Sequence, residues 1–350
     1  MLMSLKSLDT SYENLVFKGG GVKSYAYIGS IHVLEEKGVL DGVNKVGGSS
    51  AGALYAALVG LNFSADEIEN FILSLDPNEE LKKSSSEEVN KRFFTEYGNY
   101  KGDYINNNFN NFIVKKLGKS DITFQQIHDQ RESFGFKDIY LTGVDVSNGK
   151  LVVFSYENTP DMKLSDAVRI SGGYPLMYTP VQLSDGFYYV DGGLINNYPI
   201  DIFNSKYENR NHIANPKTLG LYLGSHSANE GDLGINEISS LINNISDKFS
   251  GASQDDVNYY IDQLDFNKIN YGLDQPINDI VSYIAHLFAV YSKVKYDRYE
   301  GLHEIVIDDE GFNAINLDIS QGDVQKLIEN GSNAATDYFS THSQNTDFVF

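Results

Sequence analysis

Two glycine clusters, each set between a short apolar run and a helical pattern, constrain this chain more than any other feature of its 350 residues. Leu15 to Lys18 reads as a buried strand, Gly19-Gly20-Gly21 follows it, and a helix is predicted from about Val22 to Lys37. Ile28, Ile31 and Leu34 fall on one stripe of that helix, and Gly38 is its stop signal. Val43 to Val46 reads as the second strand, a further glycine turn opens a helix over Ala51 to Leu61, and Ser64 with Glu67 forms a capping box for a helix through Leu75. Strand, glycine turn and helix in this rhythm predict an α/β fold with a central, mostly parallel sheet flanked by helices.

Composition removes several function classes. Hydrophobic residues at 41% and charged residues at 21% are values of a folded globular chain. A formal charge of -21 opposes every phosphate of a nucleic acid, so none is expected as a partner. The absence of cysteine excludes disulfides, thiolate metal sites and thiol nucleophiles. Val46 to Ala65 carries no charge over a length that could span a bilayer, but it begins in Gly and Ser and continues as a short Ala/Leu helix, which predicts a core helix. Ile280 to Ser292 is too short to cross. The first residues hold no apolar run of signal-peptide type. The expectation is a cytoplasmic protein without a transmembrane helix, a location with which export by a non-classical route stays compatible.

Farther along, Lys82 to Lys119 carries eight Lys or Arg side chains against four acids and is rich in Phe and Tyr. It reads as a helical lid or cap, extending to about residue 131, and not as part of the sheet. Ile139 to Val144 and Leu151 to Phe154 are strands joined through Asn148-Gly149, a hairpin signal. Phe187 to Val190, Leu219 to Leu223 and Glu304 to Ile307 are further strands, and Ile280 to Tyr291 and Val324 to Phe339 are helices, with Gly331 as a tolerated helix glycine. Residues 225–275 form a polar excursion of weak periodicity. The expectation is one domain over residues 1–350, with its core at about 14–80 and 135–224 and a closing segment at 276–342.

Gly48-Ser49-Ser50-Ala51-Gly52 fits G-x-S-x-G between a predicted strand and a predicted helix, the context of a nucleophile elbow in which Ser50 sits on a strained turn. A plain strand-to-helix turn would show the same letters. A serine hydroxyl needs a base to take its proton. The seven histidines (His32, His128, His212, His226, His286, His303 and His342) occupy helices or ordinary polar contexts, and none stands in a strand-end turn. Asp191 does: it follows Phe187 to Val190 and precedes Gly192-Gly193, so its carboxylate belongs at a strand end, where α/β sites are built. An Asp-Gly turn satisfying its own backbone is the bland alternative. Gly19-Gly20-Gly21 supplies the third element, backbone amides at a helix start that gather on negative charge. A dinucleotide fingerprint would want Gly where Ser24 stands and an acid later than Glu35 and Glu36.

Gly19 to Lys23, Gly48 to Gly52 and Asp191 to Gly193, with the segments Leu141 to Phe154, Asp166 to Arg169 and Pro175 to Pro199, resemble patatin-like phospholipases over most of the chain. The resemblance implies the patatin-like three-layer fold and a Ser-Asp dyad without histidine. Ser50 would be the nucleophile, Asp191 its base, and Gly19, Gly20, Gly21, Val22 and Lys23 the oxyanion hole, with Gly48, Gly52, Gly192 and Gly193 supporting the motifs. It also implies hydrolysis of acyl esters of glycerophospholipids through an acyl-serine, with no metal or organic cofactor. Ser24 departs from the glycine usual in the family at that place. Membrane phospholipids would be the substrate, met peripherally at a surface by the basic, aromatic insert through Lys115, Lys116, Lys119, Phe93 and Phe94. No residue specifies an activating protein partner or an oligomeric state. The competing readings are a catalytically silent lipid-binding or regulatory protein of this fold and, against the broken fingerprint, a nucleotide-dependent oxidoreductase.

Overall fold

The computed structural model describes residues 12–76, 78–224, 273, 275–291 and 299–344. The strands among these residues are β1 (Asn14–Phe17), β2 (Lys45–Gly48), β3 (Gly98–Tyr100), β4 (Asp138–Asp145), β5 (Lys150–Phe154), β6 (Leu176–Tyr178), β7 (Val181–Gln182), β8 (Tyr188–Asp191), β9 (Thr218–Leu223) and β10 (His303–Ile307). Among the described residues the helices of eight or more residues are α1 (Ala26–Glu36), α2 (Ala51–Gly60), α3 (Ala65–Ser74), α4 (Ser86–Glu96), α5 (Asp103–Leu117), α6 (Leu164–Ser171), α7 (Ile280–Tyr291) and α8 (Gln321–Gln344).

Eight strands form one sheet in the order β10-β9-β1-β2-β4-β8-β7, with β5 also paired to β4. The run from β10 to β4 is parallel, whereas β5, β7 and β8 join antiparallel. Every residue of β1 and β4 is buried, as expected of sheet covered on both faces. The uncharged run Val46 to Ala65 is core: after β2 it becomes α2, whose residues 52–60 are all buried. At about 1.5 Å per residue this helix is only about half the thickness of a bilayer's hydrocarbon layer. Among the described residues no helix is long and apolar enough to cross a membrane. Ser64 and Glu67 form the expected capping box, accepting and returning backbone hydrogen bonds at the start of α3.

Two expectations change. The helix after the glycine triplet does not start at Val22; Gly21–Tyr25 is a 3-10 turn and the α-helix begins at Ala26. The cause is local: Lys23 N–H donates to the Gly20 carbonyl, while Val22 N–H donates to Ala314. The insert at 82–131 is mostly helical, but it is not free of sheet, because β3 pairs in parallel with β6. Nor is it a detached cap, since Phe109 and Ile113 of α5 are buried in the main core and Phe71 and Phe112 stack at 4.4 Å. A second apolar cluster joins Phe93 and Tyr97 to Val144, Val190 and Tyr283. The polar excursion at 225–275 lies, apart from Leu273 and Gln275, outside the described residues.

Gly331 is no merely tolerated residue. A Cβ there would stand 1.7 Å from the Ala26 carbonyl oxygen, and one at Gly29 would stand 1.9 Å from that of Ile328. These two glycines let α1 and α8 touch backbone to backbone, where Ser30 Oγ donates to the Gly331 carbonyl at 2.8 Å. Helix propensity alone would make Gly331→Ala stabilising by about 1 kcal/mol. The contact reverses that sign: Gly331→Ala should lower the unfolding free energy by about 1–3 kcal/mol in urea denaturation. A gain in stability would show that the helices do not approach so closely.

Candidate active site

Ser50 follows β2 with φ 53° and ψ -132°. This left-handed conformation costs an L-residue about 1–3 kcal/mol and persists only where its surroundings impose it. Here the Ser50 N–H donates to Ser171 Oγ at 3.0 Å. A Cβ at Gly52 would lie 2.5 Å from the Phe17 carbonyl oxygen, and one at Gly48 would lie 2.5 Å from that of Gly52. Both motif glycines are therefore demanded by contact between strand and helix.

Strand β4 brings the second residue to the first. Gly48, the last residue of β2, is opposite Leu141, and Asp191, the last of β8, is opposite Gly143. Two strand ends thus meet along one short stretch of β4. Ser50 Oγ donates to Asp191 Oδ2 at 2.7 Å. The Asp191 Oδ1 accepts the Gly193 N–H at 2.8 Å, and the Asp191 N–H donates to the Gly173 carbonyl at 3.1 Å. Gly192 has no room for a side chain, because its Cβ would stand 2.3 Å from Thr142 Oγ1. Asp191 is wholly removed from solvent. That burial pushes its carboxyl up from the ordinary 3.8 to about 7, against the downward pull of the bonds from Ser50 and Gly193.

The glycine loop contributes less than all five of its residues. The Gly19 N–H donates to the Asn197 carbonyl at 2.8 Å, Val22 to Ala314 at 3.0 Å and Lys23 to Gly20 at 3.1 Å. Among the described residues the amides of Gly20 and Gly21 meet no acceptor, and both residues line a cavity with Ser50. The Ala51 amide, first of α2, is a third such donor on the same cavity. The Lys23 ammonium is bound to Asp309 at 2.6 Å. Ser24 donates to the Gly21 carbonyl at 2.7 Å and so closes the loop on itself.

The cavity holds about 190 Å³ and is walled largely by apolar side chains, among them Leu54, Ile72, Ile105, Val168 and Met177, with Ser50 and Asp191 also on its wall. Among the described residues no imidazole hydrogen-bonds Ser50 or Asp191. His32 meets Glu69, His128 meets Asp138, and His286 donates to the Ser282 carbonyl. His226 lies outside the described residues. One group among them, His32, Asp66 and Glu69, brings three metal-ligand types together, but it lies on α1 and α3, not on the cavity.

The expected membrane-facing set is not assembled. Phe93 is buried, edge-on to a half-buried Phe94, because α4 turns its aromatic side into the second apolar cluster. Lys116 is paired with Glu67 and lies over the Phe63 ring. Lys115 and Lys119 remain exposed, away from the buried Phe93.

No pattern in the sequence points to Ser171, Gly173, Asn197 or Ala314, whose partners lie far away along the chain. The sequence matches patatin-like phospholipases over residues 15–204. The chain belongs to the patatin-like phospholipase family. Among its relatives, uncharacterized protein R571 of Acanthamoeba polyphaga mimivirus is 27% identical over 243 residues, 69% of this chain and 75% of that one. The protein called probable lipid hydrolase 463L, of Invertebrate iridescent virus 6, is 26% identical over 207 residues, 57% of this chain and 65% of that one. YqhO of Bacillus subtilis is 31% identical over 209 residues, 56% of this chain and 68% of that one. In fold the chain is similar to VipD from Legionella pneumophila, with a TM-score of 0.57 at 16% identity, covering 95% of this chain and 67% of that one. The ExoU–SpcU complex of Pseudomonas aeruginosa gives a TM-score of 0.50 at 18% identity, covering 95% of this chain and 52% of that one. The central, largely parallel sheet flanked by helices is thus a patatin-like fold.

A buried carboxyl in a patatin-like site has a thermodynamic signature. Between about pH 4 and pH 7 the folded chain keeps the Asp191 proton and the unfolded chain releases it, so stability falls as pH rises through that window. Asp191→Asn removes this dependence. Relative to the wild type, the variant should gain roughly 4 kcal/mol of unfolding free energy on going from pH 4 to pH 8, measured by denaturant titration at each pH. Parallel curves for the two proteins would mean that Asp191 ionises as freely as an exposed carboxyl.

Proposed function

We propose that this protein is a lipid acyl hydrolase of the phospholipase A type, cleaving fatty acyl esters of glycerophospholipids on a Ser50–Asp191 dyad. The observation that carries the reading is the 2.7 Å hydrogen bond from Ser50 Oγ to a fully buried carboxylate, both residues lining one largely apolar cavity. Family membership and the lipid hydrolase named among the relatives support the substrate class.

In this reading Asp191 Oδ2 takes the Ser50 proton as Oγ bonds to the ester carbonyl carbon. The carbonyl oxygen becomes an oxyanion, held by the amides of Gly20, Gly21 and Ala51; donors of this kind contribute about 3–4 kcal/mol each in acyl transfer. The tetrahedral centre collapses, the alkoxide leaves with the proton from Asp191, and the acyl group stays on Ser50. Water then gives a proton to Asp191 as its oxygen bonds to the acyl carbon. When that second tetrahedral centre collapses, Ser50 Oγ leaves with the proton from Asp191, which frees the fatty acid and restores both groups. One carboxyl serves as base and acid in turn, and a group titrating near 7 is suited to both. The apolar walls match a hydrocarbon chain, and their low polarity strengthens the hold of the amides on charge.

Release of fatty acid from mixed phospholipids decides the matter. Ser50→Ala and Asp191→Asn should each lose at least about 10³-fold in turnover while their circular dichroism stays that of the wild type. Full activity in either variant would remove that residue from the mechanism. Lipid binding without turnover in the wild type would favour the silent lipid-binding protein.

A further inference from the structure

The part of the chain that matches the family ends at residue 204, yet the glycine loop leans on residues about a hundred positions beyond it. The segment after β10, residues 308–320, meets the loop at two points. Ala314 offers its carbonyl to the Val22 N–H at 3.0 Å, and the backbone there is so close that a Cβ on Gly21, whose φ is +52°, would lie 2.0 Å from the same oxygen. One turn away, Asp309 Oδ2 holds the Lys23 ammonium at 2.6 Å. Asp309 is itself 4% exposed, and its Oδ1 accepts the Gly311 N–H at 3.1 Å. The segment also reaches the cavity, where Ala314, Ile315 and Leu317 are part of the wall, and Asn78 Nδ2 donates to the Leu317 carbonyl at 2.9 Å.

We propose that Asp309, acting through Lys23, is a positioning residue that sets the Gly20 and Gly21 amides toward Ser50, so that segment 308–320 is a working part of the active site. The proposal deepens the hydrolase reading and rests on it for its kinetic consequence. An exposed ion pair would do little, because solvent screens it and two long side chains must be ordered to form it. This pair is shielded: the Lys23 and Asp309 side chains keep only 18% and 6% of their surface. A carboxylate fixed by its own turn on one side and gripping an ammonium on the other limits where residue 23 can go. Residues 20 and 21 have little freedom left between that anchor and Gly19, which is bonded to Asn197. A donor displaced by about 1 Å from a developing oxyanion costs on the order of 10²-fold in rate. Positioning is therefore worth as much as the donor itself.

Four variants separate positioning from mere stability: Asp309→Asn, Lys23→Met, Lys23→Arg and the double variant Lys23→Met/Asp309→Asn. Each is followed by ester turnover, by melting temperature and by amide hydrogen exchange over residues 19–25. Asp309→Asn and Lys23→Met should each lower kcat about 10- to 100-fold with KM within about threefold. Both should speed exchange in the glycine loop, and Lys23→Arg should turn over at least tenfold faster than Lys23→Met. The double variant leaves no unpaired charge, so its melting temperature should recover toward the wild type while kcat stays low. A salt bridge that served only stability would let both recover together. Glycine-loop exchange unchanged in Asp309→Asn, or a kcat within twofold of the wild type in the double variant, overturns the proposal. If the wild type hydrolyses no ester while exchange in the loop still quickens in Asp309→Asn, the brace stands and the hydrolase reading falls.

Discussion

A carboxylate with no access to water, 2.7 Å from a serine hydroxyl, is the arrangement on which the rest of this structure depends. In water Asp is too weak a base to draw a proton from an alcohol. Burial raises its basicity by making the charged form costly, and the Ser50 hydroxyl and the Gly193 amide offset part of that cost. The same desolvation that weakens the folded state at neutral pH prepares the group for proton transfer. In the proposed mechanism the backbone amides of Gly20, Gly21 and Ala51 face it across a cavity whose walls are mostly apolar, where a fixed donor acts more strongly than in bulk water.

Geometry of this kind needs a rigid template, and β4 is that template. Its eight buried residues carry β2 on their first half and β8 on their second, so the two strand ends that bear Ser50 and Asp191 are set two positions apart on one backbone. Around them the chain uses glycine where close approach leaves no choice. Gly52 lies against the carbonyls of β1, and Gly192 lies against Thr142. The left-handed Ser50 is held in a similar way: its N–H donates to Ser171 Oγ, 121 positions away, and fixes a turn that local preference would relax.

Much of the fold was legible in the sequence because the signals were local. The strand–glycine–helix units, the Ser64–Glu67 box, the Asn148-Gly149 hairpin and the aspartate at the end of β8 each depend on a few neighbouring residues. The two halves of the Ser50–Asp191 pair could be picked out for the same reason, since each stands in its own turn. What could not be read depends on chain folding back from afar. The 3-10 turn at Gly21–Tyr25 exists because Ala314 captures an amide, and no residue near Val22 announces that. Gly331 read as a harmless helix glycine because its constraint comes from Ala26. The aromatic insert read as a surface for membranes because composition does not tell which way a side chain points. Phe93 and Phe109 had cores to enter, and Lys116 had Glu67 to meet.

The central claim is that Asp191 governs the nucleophilicity of Ser50, and covalent labelling tests it without any choice of lipid. A fluorophosphonate reacts with an activated serine, and mass spectrometry locates the adduct. Labelling should fall on Ser50, with a rate that rises with pH and levels off with an apparent pKa near 7, and Asp191→Asn should label at least about a hundredfold more slowly with no such inflection. An adduct on another residue, or labelling of Ser50 at equal rates in the two proteins, would contradict the account.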